Sequence, residues 1–193
     1  MVSIDDTKRI LIARKLADMK ELQNLLIKNE QQFLQDCTDD DICVDTKWLV
    51  VRHRLQHMLD SDRKNLGIID TVIVEYGVKG EPKETTQKMI SQVQKLMLDS
   101  ELTLFEKVQE HELLKHKQTM AGLLIHKAAQ VVGADVEAAI TPLNTVNFEN
   151  RAHQEQLKGI LEILGARTDR KRAKTTTLGK SSRCCCSLNW CGG

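Results

Sequence analysis

The stretch that decides the fold runs from Leu104 to Gly165: LFEKVQEHELLKHKQTMAGLLIHKAAQVVGADVEAAITPLNTVNFENRAHQEQLKGILEILG. Up to Val132 its apolar residues recur at helical spacing. Gly133 stops that helix, Asp135 opens a short one, and Pro142 bends or divides the chain before a last helix over about 143–164. Ser100 is the expected N-cap of the first of these helices and Gly165 the expected cap of the last.

Upstream, Leu11, Ile12, Met19, Leu22, Leu25, Leu26 and Phe33 mark one buried stripe of a helix from Ile4 to about Gln35. Trp48, Val51, Leu55, Leu59, Leu66, Ile69 and Ile73 mark another, from about Asp45 to Tyr76. Gly77, Gly80 and Pro82 end it, and a shorter segment with Met89, Ile90, Val93, Leu96 and Met97 follows. Long amphipathic helices with short connections predict an all-α fold, an antiparallel four-helix bundle with one extra short helix.

Composition narrows the function classes. Among 193 residues, 41% are hydrophobic and 28% charged, which fits a folded domain. Aromatics make up 3%, which argues against base stacking on an aromatic platform. The absence of an 18-residue apolar run and of a basic-then-apolar leader predicts a cytoplasmic protein without membrane contact. P-loop, GxGxxG, GxSxG and HExxH patterns are missing, which removes the usual anchors for nucleotide-dependent, hydrolase and zincin readings.

The helical domain is expected over residues 1–165, and a basic, Cys-rich, disordered tail over 166–193. Seven Lys/Arg against one Asp lie from Arg167 to Arg183, so an acidic body carries a basic tail. Read one base later, the codons of Cys184, Cys185 and Cys186 encode Ala or Val, and one codon choice makes the stretch amphipathic. The tail is therefore expected to be a frameshifted or truncated end.

Bundles build their sites from polar residues at inward positions. At about 100° per residue, Phe105, Gln109, Glu112, His116, Met120 and Leu123 share one arc, as do Val146, Asn150, His153 and Leu157 with Glu149 at the edge. Each helix thus carries Glu-x-x-x-His, and antiparallel packing brings His116 and His153 to one level. Asp62 falls inward on the second helix and Asn29 on the first, with Glu30 at the margin, while His53, His57, His111 and His126 point away. Imidazoles and carboxylates from facing helices form a mixed N/O ligand set for iron, manganese or zinc. The same residues also serve as an internal hydrogen-bond network in a metal-free helical scaffold or interaction module.

The segment from about His53 to Leu164, most clearly the one quoted above, resembles bacterial hemerythrin-type HHE cation-binding, ferritin-like bundles. That resemblance implies non-haem iron held by His116, His153, Glu112, Glu149 and Asp62. It also implies handling of oxygen or peroxide in stress protection, with catalase-like turnover as the form an enzyme would take. The Glu-x-x-x-His spacing departs from the Glu-x-x-His of di-iron carboxylate bundles. The partners expected on this basis are the metal ion and oxygen or peroxide, with no specific nucleic acid and room for a homodimer.

Overall fold

The computed structural model describes residues 4–37 and 47–181, with side chains from Asp6 to Ala166 within them. Every element among these is helical: α1 (Ile4–Asp36), α2 (Lys47–Tyr76), α3 (Glu84–Leu98), α4 (Leu104–Val132), α5 (Ala134–Ile140) and α6 (Leu143–Ser181). The all-α expectation therefore holds for the described residues. Helix α1 packs on α2 and α4, and α6 packs on α4 and α2, while α3 lies against α1.

The helix boundaries have local causes. Gly77 takes φ +73° and Gly133 φ +152°, backbone states that favour glycine, and these residues end α2 and α4. The start of α4 differs from expectation: its N-cap is Thr103 rather than Ser100. The Thr103 hydroxyl accepts from the Glu106 amide at 3.3 Å, and Glu106 Oε2 accepts from the Thr103 amide at 2.8 Å, a reciprocal capping box. Helix α6 does not end at Gly165 but continues to Ser181. A single glycine costs a helix only about 1 kcal/mol, and no proline follows it. Cys43 and the clustered Cys184, Cys185, Cys186 and Cys191 lie outside the described residues.

The buried apolar residues form two caps with a polar belt between them, and a smaller third cluster of Leu22, Leu25, Leu26 and Leu114 on α1 and α4. One cap holds Ile12, Leu16, Met19, Ile69, Val72, Ile125, Ala129, Val136, Ile140 and Val146. The other holds Phe33, Trp48, Val51, Leu55, Met58, Met97, Val108, Leu157, Ile160 and Leu164. Between them each long helix turns polar while staying buried: Gln23, Asn29 and Glu30 on α1, Asp62 and Asn65 on α2, His111, Lys115 and Gln118 on α4, Asn150 and His153 on α6. No described helix is long and apolar enough to cross a membrane.

Candidate functional site: a buried ionic centre behind the α2–α6 groove

The belt is organised by a lysine. Lys115, fully buried on α4, directs its ammonium at Glu30 Oε1 (3.1 Å), at His153 Nδ1 (3.1 Å) and at Asp62 Oδ2. Its three protons thus meet three acceptors. Burial pushes the Lys115 ammonium down, but the carboxylates of Glu30 and Asp62 outweigh it and keep the lysine charged. Burial likewise pushes Asp62 up, yet Lys115 and His153 hold it well below the usual carboxylate range.

Glu30 behaves differently because its Oε2 has no partner. Desolvation prevails over Lys115, with Asp62 adding to it, and raises Glu30 from 4.5 to about 8. His111 Nε2 lies 3.1 Å from Glu30 Oε1, with Asn29 Nδ2 3.5 Å from its Nδ1 and Phe33 edge-on at 5.2 Å. Burial and then the Lys115 charge depress His111 from 6.5 to about 3, so it is neutral at pH 7. Lys115 and Asp62 thus form the charged pair of the centre, Glu30 shares the same ammonium, and His111 stands neutral beside them.

One arm of the centre reaches the surface. His153 Nδ1 stands 3.1 Å from the Lys115 ammonium and 3.3 Å from Asp62 Oδ1, and the tautomer that accepts from Lys115 carries its proton on Nε2. That atom is buried, makes no hydrogen bond and faces Glu149 Oε2 at 3.9 Å. Glu149 Oε2 accepts from Ser61 Oγ at 3.2 Å, and Glu149 lines an open hollow of about 290 Å³ with His57, Asp60, Ser61, Lys64, Asn65 and Thr145 among its walls. A second hollow of about 480 Å³ shares His57 and is lined by His53, Arg54, Glu155, Gln156 and Gly159. Together they form a groove between α2 and α6 whose walls carry the carboxylates of Asp60, Glu149 and Glu155, the cations of Arg54 and Lys64, and the imidazoles of His53 and His57.

Of the residues expected as metal ligands, Asp62, His153 and Glu149 are brought together, whereas His116 is exposed and Glu112 half-buried on the outer side of α4. The two helices do meet at one level, but the α4 residue facing His153 is Lys115. The inward face of α4 is rotated by one residue, about 100°, from the expected arc. His111, expected to point away, is wholly buried. The misreading has a physical source: at the belt the inner face of α4 is polar, while Leu113, Met120, Leu124 and Val131 are exposed. The capping box beginning at Thr103, and Gly122 where Asn147 of α6 comes close, are the signals that mark the true face.

A chain with this centre and groove is a helical protein whose buried charges are satisfied from within. No protein-family model matches it, and no solved structure does. It is 62% identical, over 168 residues and 86% of its own length, to a protein of Nostoc sp. strain PCC 7120 named DNA nickase. The chain spans 45% of that relative.

These findings correct the hemerythrin-type resemblance and the iron, oxygen and peroxide functions drawn from it. The relative carries a different name, and among the described residues no group of three or more His, Cys, Asp or Glu is placed to hold a metal ion. The physical reason lies at the centre itself, where the Lys115 ammonium already neutralises Asp62, the buried carboxylate among the expected ligands. The expectation of no specific nucleic-acid partner is likewise withdrawn.

Proposed function

We propose that this chain is an antiparallel four-helix bundle of α1, α2, α4 and α6 that binds DNA in the α2–α6 groove and hydrolyses one strand there. The pairwise packing of α1 on α2 and α4, and of α6 on α4 and α2, supports the bundle. The similarity to a DNA nickase supports the substrate. The observation that carries the site is Glu149, bracketed by the Ser61 hydroxyl and the unpartnered Nε2 of buried His153 at the wall of a hollow.

In this reading Glu149 is the base. The Ser61 hydroxyl donating to Oε2 fixes its carboxylate, His153 Nε2 stands 3.9 Å behind the same oxygen, and Oε1 is left to a water in the hollow. The water gives a proton to Glu149 and its oxygen bonds to phosphorus. The phosphorus bond to the leaving sugar oxygen breaks, and that oxygen takes a proton from His57, giving a phosphate monoester and a free hydroxyl. Lys64, exposed on the same wall and without an ion pair among the described residues, counters the phosphate charge. His153 does not touch substrate; it positions Glu149 and is itself held by Lys115 and Asp62.

Supercoiled plasmid incubated with the full chain, with Mg²⁺ and separately with EDTA, tests the reading on an agarose gel. Accumulation of open circles before any linear form is the expected result. Plasmid that stays supercoiled under both conditions refutes it.

A further inference from the structure

We infer that the larger hollow, over Gly159, is a phosphate-binding subsite that seats one backbone phosphate of a nucleic-acid strand on Arg54. The inference rests on the DNA reading for the identity of its ligand, while the site rests on residues of which only His57 is shared with that reading. Arg54 is half-buried, and among the described residues its guanidinium makes neither an ion pair nor a hydrogen bond. A desolvated cation left without a partner marks a place for an anion.

Its position is built into α6. Arg54 lies across the helix at Gly159, where a Cβ would collide with its Nη1. The glycine is thus the cradle of the guanidinium. His53, Arg54 and His57 come from neighbouring turns of α2 and form one wall with donors at three points. Gln156 faces them with a buried Oε1 that has no partner, and turning its amide presents Nε2 to the same ligand. The one carboxylate on the rim, Glu155, is held by Lys158 at 2.7 Å.

Phosphate fits this set better than a lone carboxylate, because donors on several sides match an anion with acceptors all round, and the fork of arginine binds two oxygens at once. The hollow, about 480 Å³, has room for the attached sugar as well. Seven residues separate Arg54 from Ser61, about 10 Å along α2. That is roughly three nucleotide rises at 3.4 Å per strand. A phosphate on Arg54 therefore sets the register of the strand that crosses Glu149.

The test is a titration of the full chain with inorganic phosphate, followed by ³¹P NMR, and in parallel with a single-stranded oligonucleotide. Saturable phosphate binding is expected, weakened about tenfold or more in Arg54→Gln. Gly159→Ala, which improves helix propensity and so keeps the fold, weakens it in the same direction by displacing Arg54, while Arg54→Lys retains part of it. Phosphate affinity that is absent in the wild type, or equal in Arg54→Gln and Gly159→Ala, overturns the subsite, and plasmid nicking then stands or falls by itself. Phosphate binding with the expected pattern but no affinity for the oligonucleotide upholds the anion site and removes DNA as its ligand.

Discussion

At the scale of single residues, the belt makes stability depend on pH in both directions. Glu30 has a folded pKa raised from 4.5 to about 8, so its contribution is complete below 4.5 and is lost as pH rises through 8. His111, depressed from 6.5 to about 3, contributes fully above 6.5, and its contribution is lost as pH falls toward 3. Between pH 4.5 and 6.5 the two slopes oppose each other, and the expected profile is a plateau there with a fall on either side. Urea unfolding across this range checks it, and Glu30→Gln should remove the alkaline fall while His111→Gln removes much of the acid one. Lys115→Met leaves the Asp62 charge buried and alone; it should cost about 3–5 kcal/mol in the same assay, and the added change Asp62→Leu should recover part of that.

At the scale of the element, α4 explains what the sequence disclosed and what it hid. Helices α1 and α2 were legible because apolar periodicity coincides with burial, as at Ile12, Met19, Leu26 and Phe33 or at Trp48, Val51, Leu55 and Ile69, although Leu11 is half-exposed. In α4 the two properties part, since His111, Lys115 and Gln118 are buried while Leu113, Met120 and Leu124 are not. A hydrophobic stripe finds the inner face only where the core is apolar. His153 and Asp62 were read as inward, with Glu149 at the edge, because α6 and α2 carry conventional stripes on either side of them, whereas Lys115 was missed because a buried lysine looks like a surface one until its carboxylates are placed. The same helix offers a test of its start: Thr103→Ala removes the hydroxyl that accepts from the Glu106 amide while the backbone amide still donates to Glu106 Oε2, and should cost about 1 kcal/mol, read as a lower urea midpoint with an unchanged slope.

At the scale of the whole molecule, the apolar clusters supply most of the burial and the belt between the two caps holds the buried ionic centre. Truncation within a cap, such as Leu55→Ala, should cost about 2–5 kcal/mol and lower the melting temperature without altering DNA affinity below that temperature. Loss of a groove cation acts the other way: Lys64→Gln should weaken DNA binding and reduce the slope of log K against log salt by about 1, with stability unchanged. The central claim is that Glu149 cuts the strand. Its most direct measurement is the initial rate of plasmid nicking by the wild type, by Glu149→Gln and by Glu162→Gln, an exposed glutamate of the same helix outside the groove. The account predicts a fall of about a hundredfold or more for Glu149→Gln with DNA affinity retained, and the wild-type rate for Glu162→Gln. A Glu149→Gln protein that nicks at the wild-type rate would contradict it.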